Sequence, residues 1–324
     1  MNLYDLVLSS GRRWVAPMAA PLGARLIGLQ AEELRDDEEA QSRALHALLE
    51  RFRPDILFPL MDLAPFGREA AALLRGSLGE GPFDPRALKG RESEVEMAAE
   101  IDADEHPALL AQARVMEGVG VDAGALRACF LPGPFHLAGS IFGVEELILQ
   151  AVSGDGTADA AMGFAARFLG VCAGALAERL DLVMLVEPEL GTLYPPLFQQ
   201  LCLPYLEGLC GVVRAAGAAP MLRAAGDCSH LLEDLVPTGA EGISLDHQVD
   251  MKEAARTLPL NLIILGNLEV RRMRRSSPTD VRDKAGRLAA AMSGYRNFVL
   301  STSGELEPGT PLENLEALFA AARA

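Results

Sequence analysis

The sequence predicts an α/β fold, a (β/α)8 TIM barrel preceded by a short N-terminal helical extension, with residues 1–324 forming one domain. Two observations lead there. Eight short stretches, near residues 15, 55, 126, 181, 220, 242, 261 and 297, are apolar on both faces and run into segments with helical spacing. That is the pattern of a parallel sheet covered by helices. No Gly-x-Gly-x-x-Gly follows any of them, which favours a closed barrel over an open dinucleotide-binding sheet.

Met1 to Arg13 reads as the lead-in helix. Val15 to Ala20 is a compact apolar run closed by Pro21 and Gly23, as expected of a buried strand and turn. Glu32 to Phe52 carries Leu45, Leu48, Leu49 and Phe52 on one helical face, and Asp55 to Met61 is the second strand. Arg68 to Leu74 is helical, Gly76 to Pro85 is loop, and Glu94 to Gly118 is charged and mainly helical. Leu126 to Leu131 is a strand stopped by Pro132-Gly133-Pro134, with helices following at about Val144 to Val152 and Ala158 to Leu180. Strands at Asp181–Val186, Pro220–Ala225, Gly242–Leu245, Leu262–Leu265 and Phe298–Leu300 alternate with helices at Pro195–Ala216, Leu231–Leu235 and from Ser277 to about Ser293. Ser277-Pro278-Thr279-Asp280 has the hydroxyl, proline and acid of a helix start, and Thr310-Pro311-Leu312-Glu313 reads as a capping box for the last helix.

A net charge of -16 argues against a nucleic-acid partner, whose phosphates require a basic surface. No uninterrupted apolar run reaches the ~18 residues a membrane helix needs, and Met1 to Arg12 lacks the features of a signal peptide, so a soluble, cytoplasmic protein is expected. The five cysteines lie far apart and never form Cys-x-x-Cys, which indicates neither a disulfide framework nor a zinc ribbon.

In such a barrel chemistry sits at the carboxyl ends of the strands. Those ends carry Asp62, Gly133, Glu187, Arg223 with Asp227, Asp246 with His247, Asn267, and Ser301 to Glu305: an acidic ring with one arginine and one histidine. Glu187 ends the most hydrophobic strand, where a carboxylate is costly to desolvate. His247 beside Asp246 suits proton transfer near neutral pH. Asp227 either caps the helix beginning near Ser229 or serves as a ligand, while Cys228 and His230 follow it at once. Arg223 either neutralises the ring or binds an anionic or planar group. Arg271, Arg272, Arg274 and Arg275 form a basic run after the seventh strand, read either as a solvated loop or as a seat for an anionic tail.

Phe58-Pro59-Leu60-Met61-Asp62-Leu63, Gly133-Pro134-Phe135, Val186-Glu187-Pro188, Leu203-Pro204-Tyr205, Gly226-Asp227, Gly266-Asn267-Leu268 and Thr310-Pro311-Leu312-Glu313-Asn314 occur in the order and spacing of one family. The chain resembles the uroporphyrinogen decarboxylase superfamily, and within it looks closer to the corrinoid-dependent methyltransferase branch. The decarboxylases bind substrate carboxylates with the arginines of a Met-Arg-Gln-Ala-Gly-Arg phrase; the matching stretch here is Met18 to Arg25, in which only Arg25 remains, although Asp62 matches the key aspartate. The thiol-methylating branch holds zinc with His-x-Cys and a further Cys, where this chain has Arg223, Ala225 and Gly304. A catalytic zinc needs about three protein donors, so that site cannot form. A substitute metal set from Glu187, Asp227, Cys228, His230, Asp246 and His247 is not specified by spacing, and no metal is assigned.

The resemblance therefore implies a methyltransferase that moves a methyl group between a corrinoid carried on a partner protein and a small non-thiol acceptor or donor, such as tetrahydrofolate or a methoxylated compound. Asp62, Glu187, Asp227, Asp246 and His247 are the expected catalytic residues. Arg223, Asn267, Ser301 and Glu305 are the expected cofactor-binding ones, and a homodimer is compatible with the family. A tetrapyrrole decarboxylase and a non-catalytic corrinoid- or partner-binding relative are the alternatives.

Overall fold

The computed structural model describes residues 2–79, 83–88, 90–91, 98–119, 124–154 and 156–323. Seven parallel strands pair in sequence order: β1 (Ile56–Leu57), β2 (Leu126–Pro132), β3 (Leu182–Glu187), β4 (Ala219–Ala224), β5 (Gly242–Leu245), β6 (Ile263–Leu268) and β7 (Phe298–Thr302). Each coincides with a predicted strand. Side chains alternate in β3 as a pleat requires: Leu182, Met184 and Val186 join a central cluster with Trp14, Met18, Phe58, Phe130, Met221, Leu265 and Val299, while Val183 and Leu185 pack into the layer beneath the helices. Both faces of the sheet are thus covered, which explains strands that are mostly apolar on both faces.

The strand expected near residue 15 is reduced to two isolated parallel bridges, Val15 to Leu300 and Met18 to Glu305. Pro17 has no N–H to give to a ladder, and Pro21 opens the helix Ala20–Leu26. The segment nonetheless reaches both edges of the sheet. Asp55 N–H donates to the Val15 carbonyl at 2.9 Å, while Ala16 N–H donates to Leu300 and Leu300 N–H to Trp14, each at 2.9 Å. β1 is equally short because Pro54 and Pro59 bracket it. At the amino end of the strands, Leu3 and Val7 of the helix Leu3–Ser9 enter the central cluster. The opposite, carboxyl end is left for chemistry.

Other differences have local causes. The long helix expected from Pro195 to Ala216 is two, Pro195–Leu201 and Leu203–Ala215, because Pro204 cannot donate. Pro132-Gly133-Pro134 does not simply stop a strand; Pro134 occupies the first turn of an unforeseen helix, Pro134–Phe142. Helices Met251–Thr257 and Val270–Arg275 were also unforeseen. Ser277 and Asp280 form a reciprocal capping box. Thr310 does not, since Pro311 is the N-cap of Leu312–Ala322 and makes no side-chain cap bond. The helical expectation from Glu94 and the loop expectation from Gly76 fall partly on residues outside those described; Ala111–Val119 is helical. Thr157–Ala177 is long and apolar enough to cross a membrane by composition, but Phe164, Phe168 and Leu169 are completely or almost completely buried in the outer core layer.

Gly23 lets the helices Ala20–Leu26 and Glu38–Phe52 touch: a Cβ there would lie 2.6 Å from the Ala44 carbonyl oxygen. Gly23→Ala is expected to cost ~1–3 kcal/mol of stability through overpacking against backbone that cannot yield. Urea unfolding checks this, and a wild-type midpoint would contradict the packing.

Candidate active site

Glu187 follows the outward parity of β3, so its carboxyl turns away from the central cluster and meets the amino end of the helix Pro134–Phe142. Oε1 accepts the Phe135 N–H and Oε2 the His136 N–H, each at 2.9 Å. Gly133 makes the room, for a Cβ there would stand 2.1 Å from the Glu187 carboxyl carbon. Burial pushes the Glu187 carboxyl up to about 8, against the opposing pull of the two N–H groups. The expectation that Glu187 lines the open face is corrected: it is a fully buried helix anchor. Asp227 is exposed and accepts from the Ser229 hydroxyl and N–H, which hold its carboxyl below the usual range; the helical turn Ser229–Leu231 has Cys228 at its N-cap and no side-chain cap bond. His230 binds the Leu193 carbonyl and Cys228 is buried.

Arg223, Asp246, His247 and Asn267 do come together. Arg223 is 7% exposed; its Nη2 donates to the Ser303 carbonyl and lies 3.7 Å from Asp246 Oδ2. Burial lowers the guanidinium pKa, with Asp246 opposing. Its Nη1 is buried and has no hydrogen-bond partner among the described residues. His247 Nδ1 stands 2.5 Å from Asp246 Oδ1, and Asn267 donates to the Asp246 and Val249 carbonyls at 2.8 Å. Ser301 is taken up by structure, its hydroxyl donating to the Ala16 carbonyl at 2.6 Å.

Gly304 adjoins this group. A Cβ on it would be 3.0 Å from Arg223 Nη2, so two of the three positions that would supply zinc ligands are neighbours in space, and a guanidinium stands between them. Neither they nor Ala225 offers a metal donor. Among the described residues no group of three or more His, Cys, Asp or Glu is arranged to hold a metal ion.

Asp62 and Glu305 meet in a separate cleft of about 620 Å³ at the carboxyl end of β1. Glu305 Oε1 accepts the Met61 N–H at 2.8 Å, and Asp62 Oδ1 accepts the Ala64 N–H at 3.1 Å. Burial, reinforced by the Asp62 charge and opposed by the Met61 N–H, raises the Glu305 carboxyl to about 7. Arg35 and Arg68, which sequence reasoning missed, line this cleft beside Glu32 and Asp36. Arg35 was hidden inside a predicted helix that in fact breaks into a turn at Ala31–Leu34 before Glu38–Phe52 begins. Arg25, the one arginine retained from the decarboxylase phrase, donates to the Thr310 carbonyl at 2.9 Å.

A parallel α/β sheet with its polar groups gathered at the strand ends defines an enzyme-like scaffold, and the comparisons identify it. The uroporphyrinogen decarboxylase (URO-D) family matches residues 13–324, and the chain belongs to that family. It is 28% identical over 144 residues to a uroporphyrinogen decarboxylase of Prochlorococcus marinus (strain MIT 9211), spanning 44% of this chain and 40% of the relative. It is 26% identical over 195 residues to the Methylcobamide:CoM methyltransferase MtbA of Methanosarcina acetivorans, spanning 59% and 56%. The chain thus aligns with less than two thirds of either curated relative. Its fold is that of a methyltransferase from Methanosarcina mazei, with a TM-score of 0.81 at 18% identity, covering 99% of this chain and 97% of that one.

The raised Glu187 pKa has a defined sign. A carboxyl lifted in the folded state stabilises the fold fully below its ordinary value of 4.5, and this contribution is lost as pH rises through about 8. Glu187→Gln, which cannot ionise, is expected to flatten the fall in thermal midpoint between those limits by the equivalent of roughly a few kcal/mol. Identical pH slopes for variant and wild type would remove the assignment.

Proposed function

We propose that the protein is a corrinoid-dependent methyltransferase, moving a methyl group between a methylated corrinoid on a partner protein and a small non-thiol acceptor or donor. Tetrahydrofolate and methoxylated compounds are the substrate types that fit. The observation that carries this reading is the Asp62–Glu305 pair: two carboxyls in one cleft, one of them held near neutrality. Paired acids with separated pKa values are suited to moving a proton. An amine acceptor must lose a proton as its bond to carbon forms, and a methoxyl donor must gain one as its oxygen leaves. Glu305 takes the proton in the first case and supplies it in the second, with Asp62 tuning its affinity. A corrinoid, when bound, would supply or receive the methyl group, retaining the bonding electron pair when it donates and providing it when it accepts.

Thiol acceptors are disfavoured because Arg223, Ala225 and Gly304 provide no zinc donors. Decarboxylation of a polycarboxylated tetrapyrrole is disfavoured because Glu32, Asp36, Asp62 and Glu305 outnumber Arg35 and Arg68 in the cleft, while Arg25 is engaged elsewhere. In the same reading residues 14–18 are the first of the eight staves of a (β/α)8 barrel, the carboxyl mouth is the active face, and the enzyme is cytoplasmic.

The test is spectroscopic. Incubation with methylcobalamin and tetrahydrofolate is expected to convert the cobalamin spectrum, with a rate that rises as Glu305 deprotonates through about pH 7. Glu305→Gln should lower kcat by about 10²–10⁴-fold. Turnover only with thiols and bound zinc, or loss of pyrrole carboxylates seen by chromatography, would overturn the proposal.

A further inference from the structure

A second concavity, of about 380 Å³, opens beyond the ends of β5 and β6. Its polar wall consists of His247, Asn267, Glu269, Arg272, Ser276 and Lys284, with aliphatic side chains making up the rest. Three of these groups bear or can bear positive charge. In a chain of net charge -16, with 45 acidic residues for 29 lysines and arginines, cations should find carboxylate partners easily. Lys284 has not. It is half-buried and makes no ion pair among the described residues, and Asp280, on which its charge acts, is held in the Ser277 capping box.

The other two cations are fixed from one side only. Glu269 Oε2 holds Arg272 through Nε at 2.5 Å, and neither terminal guanidinium nitrogen has a hydrogen-bond partner among the described residues. Asp246 engages His247 through Nδ1, and Nε2 has no partner among them. A planar fork, an ammonium and an imidazole around one cavity are complementary to an oxyanion.

We propose that this pocket is a binding subsite for an anionic group, a carboxylate or a phosphate, with Lys284 and Arg272 as its charge partners. Counting residues 14–18 as the first stave, β6 is the seventh, and the loops after the seventh and eighth strands are where such barrels commonly seat phosphate. The subsite explains the basic run Arg271 to Arg275, of which Arg272 faces the pocket and Arg274 pairs with Glu307. It stands apart from the methyl-transfer reading, because binding is measured without turnover.

Calorimetric titration of the full chain with inorganic phosphate and with glutarate, at constant ionic strength, tests it. Saturable binding of one anion per chain is expected; phosphate alone assigns a phosphoryl ligand, glutarate alone a carboxylate tail, and both the shared oxyanion chemistry. Lys284→Ala and Arg272→Ala should each weaken binding at least about tenfold. Lys284→Arg should retain most of it, with circular dichroism showing every variant folded. Saturable binding of neither anion, or unchanged affinity in folded Lys284→Ala, would overturn the subsite.

Discussion

The segment from Trp14 to Met18 is the constraint on which the rest of the structure depends. β1 and β7 are the two edges of the sheet, and unpaired edges would leave rows of backbone groups without partners. Residues 14–18 satisfy both. Asp55 holds one side: its carboxylate accepts the Val15 N–H at 2.7 Å, its own N–H donates to Val15, and Arg12 covers its charge. Leu300, Ser301 and Thr302 hold the other through bonds to Trp14, Ala16 and Met18. Pro17 denies the segment a regular ladder, so side chains complete what the backbone cannot.

The candidate site depends on that bridging segment. Asp62 follows one edge strand and Glu305 follows the other, and the Met61 N–H reaches the Glu305 carboxylate only because the edges are drawn together. Burial lifts the proton affinity of Glu305 into the neutral range, and the Asp62 charge adds to it. Arg223 and Glu187 make a contrast one strand apart. By parity Arg223 turns inward and keeps an unpartnered donor, whereas Glu187 turns outward and ties down a helix. A guanidinium beside Gly304 fills the ground where metal ligands would have to converge, so positive charge is retained there in a form that cannot activate a thiol by coordination.

The strands were legible because each is buried on both faces and therefore mostly apolar, with polar residues mainly toward the strand ends, a signal independent of register. Register decides function, and there the sequence was read less well. Counting from Leu182, Met184 and Val186 puts Glu187 on the outer face; that parity, with a glycine at 133 to receive it, was the overlooked signal. Asp227 looked like a ligand or a cap, and its carboxylate is taken up locally by Ser229, two residues on. The pairing of Asp62 with Glu305 could not be read from spacing, since it joins positions far apart across the sheet closure. Arg35, Arg68 and Lys284 gave no signal, because a cation in a helical stretch carries no mark of what it faces.

The central claim is that burial, with the Asp62 charge adding to it, gives Glu305 a proton it can exchange at neutral pH. Selective carboxyl-carbon labelling of glutamate, with Glu305 assigned by its Gln variant, makes its titration directly observable by NMR. The account predicts a midpoint near 7 that falls when Asp62 is replaced by Asn. A midpoint at the ordinary 4.5, or one indifferent to Asp62→Asn, would contradict it.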